Sequence, residues 1–475
     1  MTAKNSGWRD FLAGDNRLKV AVFAGGVALT AIEVYIGSTL MPSVVAEIGG
    51  IELFAWVTTV FIVASIIASM FAAVRPFGLG PRQNYLIAAA AFGAGSLICG
   101  LAPNMPVLLV GRAVQGFGGG LLGALTYMMV RLVFPERLWA QAIALISGMW
   151  AIATLVGPAI GGLFAEFHAW RWAFYILLPA SALLAIGAVR VVPKQSSERG
   201  MTTVPALQIG LMIVAVLGLS IASAAAETDA TLAIVLTLAA LLVVAALGLV
   251  ERGARQKLMP TGTFVFGSAL ATMFALMVLL QISIISDIFV PLFLQRLHGI
   301  GPLIAGYIVA LLAVGWSSSS IITSTWTGSR ARLLIAGGPL LLLAGAIGLA
   351  LCVGHEELGP NLLLLIPIGL SLLVMGFGIG SAWTHLMPRV MQAAPAGEHD
   401  VTSAALNTIQ LFATGTGAAL AGLVVNLGGL GSAASPVAAA NWLYGLWVVV
   451  PLLALPLALR VVRRETRTAL AQPAE

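Results

Sequence analysis

The sequence predicts an all-α, polytopic membrane protein with 14 transmembrane helices, arranged as two six-helix bundles plus a two-helix central insert. Three observations predict it: a composition too apolar for a water-facing globule, fourteen apolar runs of spanning length, and basic residues concentrated on one side of those runs. The chain is 60% hydrophobic and only 9% charged, with a mean hydropathy of +1.02. A soluble domain carries about 25% charged residues. Too little polar surface remains to cover a globule in water, so lipid is the expected solvent.

A spanning helix needs roughly 20 mainly apolar residues. The runs lie at 20–42, 53–74, 84–102, 106–133, 138–165, 172–191, 205–226, 230–250, 264–295, 301–326, 331–353, 361–391, 401–427 and 436–460. A membrane β-barrel would show short alternating segments instead. The longest polar stretches, 192–204 and 251–260, bracket two helices with few polar residues. The expected domains are therefore a six-helix bundle over 1–195, an insert over 196–258 and a second bundle over 259–475. Such internal repetition is typical of secondary transporters.

Lysine and arginine test the count, because cytoplasmic loops are enriched in both. With the N-terminus inside, all but three of the 24 basic residues fall inside; Arg112 lies within a span, and Arg171 and Arg296 fall outside. One miscounted span would exchange every later loop and destroy this asymmetry. Both termini are expected in the cytoplasm, in a multi-pass protein of the cytoplasmic membrane. The net charge of +6 is mostly this asymmetry, so it gives no reason to expect a nucleic-acid partner. Cys99 and Cys352 both sit in apolar runs, which disfavours a disulfide framework. No metal-ligand spacing, nucleophile elbow or phosphate loop is present, so neither a cofactor nor an enzymatic activity is expected.

Charges inside the bilayer cost about 2.5–3.5 kcal/mol each on insertion scales and mark functional positions. Three stand out. Glu33 falls near the middle of span one, where a buried carboxyl poised beside a cation can exchange a proton as its surroundings change. Arg112 lies in span four; a guanidinium stays charged and must find partners, for which Glu33 and Gln115 are the candidates. Asp287 lies in span nine, which opens the second set as span one opens the first. Glycines shape the packing. Gly157-Pro158-Ala159-Ile160-Gly161-Gly162 spaces small residues four apart, which lets helices approach closely, and its proline can bend the helix. Aromatic, amide and imidazole groups within the spans that could line a substrate cavity are Tyr35, Gln115, Trp150, Gln281, Trp383, His385 and Asn407.

These residues match a family pattern. The chain resembles the major facilitator superfamily, and within it the fourteen-span drug–proton antiporters, over nearly its whole length. Gly111-Arg112-Ala113-Val114-Gln115-Gly116 is similar to that family's fourth-helix motif, whose arginine is implicated in proton coupling. Gly157-Pro158 through Gly161-Gly162 resembles the fifth-helix antiporter motif, and Trp170-Arg171-Trp172-Ala173-Phe174 the segment after it. Glu33 stands where the family has an acid in helix one. After span two, Gly80 and Arg82 fit the family's loop motif, while Phe77 stands where that motif has its acid. The resemblance implies a monomeric transporter that exports a small molecule by alternating access between two bundles. Protons would flow inward through Glu33, with Arg112 and Asp287. The same scaffold also suits a facilitator or proton symporter that imports a nutrient.

Overall fold

The computed structural model describes residues 11–12, 14, 16–74, 79–135, 138–194, 205–226, 228–355, 362–430 and 436–471. Lys4, Arg9, Arg75, Arg137 and Arg199, five of the basic residues counted as cytoplasmic, and Phe77 of the loop motif lie outside them. The described residues form fourteen helical spans and no strand, because in hydrocarbon only a helix or a closed barrel satisfies every backbone N–H and C=O.

The first five spans are single helices: α1 (Asn16–Ile48), α2 (Phe54–Val74), α3 (Pro81–Leu101), α4 (Met105–Val133) and α5 (Trp139–Glu166). Span six is α6 (Trp170–Tyr175) followed by α7 (Leu177–Val191). The insert is α8 (Ala206–Ala225) and α9 (Ala230–Gly253). Span nine, expected from residue 264, starts at α10 (Ala269–Ile284), passes through a 3-10 turn (Ile285–Phe289) and ends as α11 (Val290–His298). Then come α12 (Pro302–Thr323), α13 (Gly328–Cys352), α14 (Leu365–Gln392) and α15 (His399–Leu427). The last span is α16 (Pro436–Trp447) with α17 (Val449–Ala471).

Proline sets the three broken spans. It has no N–H to give the carbonyl four residues back and clashes with it. Pro179 stands four residues after Tyr175, where α6 stops, and Pro451 four after Trp447, where α16 stops. Pro291 stands four after Asp287, at the centre of the 3-10 turn. Helix starts are marked as clearly: Asn104 caps α4 through the Val107 amide, Asp229 caps α9 through Leu232 and Ser268 caps α10 through Ala271.

The chain divides into two compact units, one of Met1–Gly50 with Val60–Val204 and one of Ile51–Thr59 with Pro205–Glu475. Each is built the same way. In the first, span one packs on spans four, five and six, and span three on four and six. In the second, span nine packs on twelve, thirteen and fourteen, and span eleven on twelve and fourteen. The insert joins the second unit, with α8 against α9 and α15. Asn426 of α15 reinforces this by donating to the Ser223 carbonyl of α8 at 2.9 Å.

Glycine makes the same close approach in both units. Gly116 of α4 lies on the backbone of Phe61 in α2, and Gly376 of α14 on the Leu312 carbonyl of α12; a Cβ at either would overlap that backbone. With lipid on all sides there is little hydrophobic drive between helices, so backbone proximity and packing carry the association.

Candidate functional site

The first unit holds a buried polar chain that crosses three helices. Glu33 sits at mid-length of α1 and is fully buried; Arg112 of α4 is 5% exposed. They form an ion pair from Arg112 Nη1 to Glu33 Oε1. The same Nη1 donates to Gln115 Oε1 at 2.7 Å, because residues three apart share a helix face. Gln115 Nε2 donates to Ser96 Oγ of α3 at 2.9 Å, and Ser96 Oγ donates to the Phe92 carbonyl at 2.8 Å. The guanidinium carbon lies 4.5 Å from the Phe61 ring centre, a cation–π contact that strengthens when water is excluded. Gln115 and Ser96 are fully buried.

One atom in this chain is left over. Glu33 Oε2 is buried and has no hydrogen-bond partner. An unsatisfied buried acceptor is costly, and a proton on it would turn that oxygen into a neutral hydroxyl. Arg112 would then still hold Gln115 Oε1.

The fifth-span glycine motif closes on this point of α1. Gly157 faces the Ile32 carbonyl and Tyr35, and Gly161 faces the backbone of Ile36, so the two glycines bracket the turn that carries Glu33. Pro158 and Gly162 are buried beside them, and Pro158 stays within a continuous α5. Tyr35 accepts from Thr154 Oγ1 at 3.2 Å. Trp150, one turn away, is 42% exposed. Gly80 caps α3, its N–H donating to Gln83 Oε1 at 2.9 Å. Arg82 donates through Nε to the Val192 carbonyl at 2.7 Å, so this loop-motif basic residue ties the start of α3 to the end of α7.

In the second unit, Asp287 sits in the 3-10 turn that interrupts span nine. Trp447 Nε1 at the end of α16 donates to two carbonyls in the last turn of α10, Ile282 and Ser283, at 3.1 Å each, and the Ile282 carbonyl also accepts from the Ile285 N–H. Tyr444, one turn earlier on a helix that packs against the 3-10 turn, is 1% exposed and has an unpartnered hydroxyl. Gln281, a turn before the break, donates to Thr414 Oγ1 of α15 at 3.3 Å while its Oε1 stays unpartnered. The other cavity candidates are not drawn to this point. Trp383 packs on Trp316 with centroids 6.0 Å apart, His385 is 6% exposed with Nε2 unpartnered, and Asn407 is exposed.

Sequence reasoning missed several partners. Ser96 and Phe61 complete the Arg112 environment, and Tyr444 and Trp447 that of Asp287. Glu47, at the end of α1, accepts from Trp170 Nε1 at 2.6 Å and pairs with Arg171, whose Nη2 reaches the Ala102 carbonyl at 3.2 Å. Trp170-Arg171 is thus a clasp joining the ends of α1, α3 and α6. Only proline spacing could have found the break. Among the described residues no cluster of His, Cys, Asp or Glu could hold a metal ion.

Comparison with known proteins agrees with this geometry. The chain is 38% identical over 463 residues to a protein of Mycobacterium tuberculosis named "Probable multidrug-efflux transporter"; the match covers 94% of this chain and 95% of that one. It is 28% identical over 331 residues to a multidrug transporter protein of Bacillus subtilis, covering 66% of this chain and 60% of that one. Among solved structures, a POT family transporter in complex with 5-aminolevulinic acid superposes with a TM-score of 0.67 at 15% identity, over 94% of this chain and 96% of that one. A D-xylose–proton symporter does so with 0.64, also at 15% identity, over 93% and 97%. These last two speak for the fold alone. The profile of the Major Facilitator Superfamily matches residues 23–418, and with the repeated six-span units and fourteen apolar helices this places the chain in that superfamily: it is a multi-pass membrane transporter.

Proposed function

We propose that the protein exports a small, drug-like or metabolite molecule across the cytoplasmic membrane by alternating access, in exchange for protons, with Glu33 as the proton-carrying group. The observation that carries this reading is the fully buried Glu33 carboxylate, paired on one oxygen with Arg112 and unpartnered on the other. On this reading, a change in the surroundings of the carboxyl decides whether it carries a proton. Gln115 makes the neutral form tolerable by keeping an acceptor on Arg112. The seat of Gly157 and Gly161 on the Glu33 turn supports a link between the carboxyl and the position of α5. Asp287, at the broken span nine, is the second coupling carboxyl in this proposal. Discontinuous spans are where transporters place their substrate and ion sites. Gln281 and Tyr35 serve as substrate contacts on the same reading.

The efflux direction rests on the names of the relatives, above all the one 38% identical over 94% of the chain. Two acids in an apolar setting suit a lipophilic cation. The test is transport in proteoliposomes, using compounds first picked from an accumulation screen over lipophilic cations, neutral and zwitterionic molecules. Wild type is expected to move the compound faster when a pH gradient is imposed, and Glu33→Gln to lose that response by at least tenfold. Transport by wild type that ignores the gradient would remove the coupling.

A further inference from the structure

A groove of about 430 Å³ runs along the first unit, lined by α1 and α7 together with Ile160 of α5. Its walls are wholly apolar. Small residues are frequent in its lining, Ala21, Gly25 and Ala28 on α1 and Ala180 and Gly187 on α7, with the Leu184 side chain seated on Gly25 and that of Val22 on Gly187. The two helices run antiparallel here, since Gly25 lies against Leu184 and Gly187 against Val22. From Leu18 to Ile32 the groove follows α1 for about 21 Å, against about 15 Å for one leaflet's hydrocarbon. With no polar side chain among its lining residues, it offers nothing to a polar solute.

Its end has a different character. One turn beyond Ala21 on the same face of α1 is Arg17, and one turn beyond Gly187 on α7 is Arg190; positions three and four apart lie above one another. Both arginines are exposed. Lys19 and Lys194 flank them, and the first turn of α1 carries no acid. We infer that this groove is a binding site for one anionic phospholipid, an acyl chain lying along the groove that α1 and α7 line and its phosphate held by Arg17 and Arg190. Guanidinium matches phosphate with paired, charge-assisted hydrogen bonds, and basic residues at the ends of membrane helices select anionic headgroups.

The test is native mass spectrometry of the full, lipid-stripped chain titrated with dioleoyl phosphatidylglycerol or dioleoyl phosphatidylcholine. Wild type is expected to retain one phosphatidylglycerol in preference to phosphatidylcholine. Arg17→Gln with Arg190→Gln is expected to weaken phosphatidylglycerol about thirtyfold and phosphatidylcholine, whose choline offsets its phosphate, by much less, so that the preference is lost. Ala28→Leu with Ala180→Leu, which fills the groove, is expected to weaken both. Equal retention of the two lipids by wild type, or a preference that survives the arginine pair, overturns the site. So does phosphatidylglycerol binding that ignores a filled groove. Should the filled variant not fold, the arginine pair, exposed on both helices, decides alone.

Discussion

At the scale of single residues, the functional reading rests on how three side chains share their hydrogen bonds. Arg112 has two acceptors on one nitrogen, Glu33 Oε1 and Gln115 Oε1, while Glu33 has a second oxygen with none. Removing one partner of a buried pair leaves the other charge stranded and costs about 3–5 kcal/mol, whereas replacing both with apolar groups is often near neutral. Glu33→Leu and Arg112→Leu are therefore each expected to lower stability by about that amount, and the double variant by much less than the sum. Unfolding in detergent measures all three. Additive losses would mean that the two residues act independently. Glu33 and Arg112 were legible in the sequence, because a charge inside an apolar run has few innocent explanations. Ser96 was not: serine is common in membrane helices, and only the third helix's position singles it out.

At the scale of helices, glycine decides how near one span comes to the next. Gly116 and Gly376 occupy the same role in the two units, each pressed on another helix's backbone, while a Cβ at Gly210 of α8 would meet nothing. Backbone cannot yield as a flexible side chain can, and overpacking of this kind costs about 1–3 kcal/mol. Gly116→Ala and Gly376→Ala are each expected to lower the thermal midpoint, and Gly210→Ala to leave it unchanged or raise it slightly. A harmless Gly376→Ala would contradict the packing. The spans themselves were readable from hydropathy, since fourteen runs of sufficient length could be little else. The break in span nine was not, although Pro291 was in plain view: Pro158 and Pro339 lie inside helices that continue. What accompanies this break is tertiary, the Trp447 indole that donates to the Ile282 and Ser283 carbonyls in the last turn of α10.

At the scale of the whole molecule, orientation follows from the basic residues and remains a proposal with a direct check. Cysteines introduced at Lys194 and Arg464 in a cysteine-free chain are expected to react with an impermeant maleimide only in inverted vesicles, and one at Arg296 only in right-side-out cells. Reaction at Lys194 from outside would reverse the account. The repeated architecture was legible as two sets of six spans, because composition and loop length report how many helices there are. That span one meets four, five and six just as span nine meets twelve, thirteen and fourteen was not, since contacts between distant helices leave no periodic trace in one sequence.

The central claim is that a proton on Glu33 and the transported molecule are linked. Purified protein in weakly buffered detergent, held at the pH of half-maximal transport, can be mixed with a compound that it transports while a pH dye reports protons. Wild type is expected to release protons as the compound binds, up to about one per chain from Glu33, and Glu33→Gln to release fewer by that amount. Release from the Glu33→Gln protein equal to that of wild type, or no release from wild type, would contradict the account.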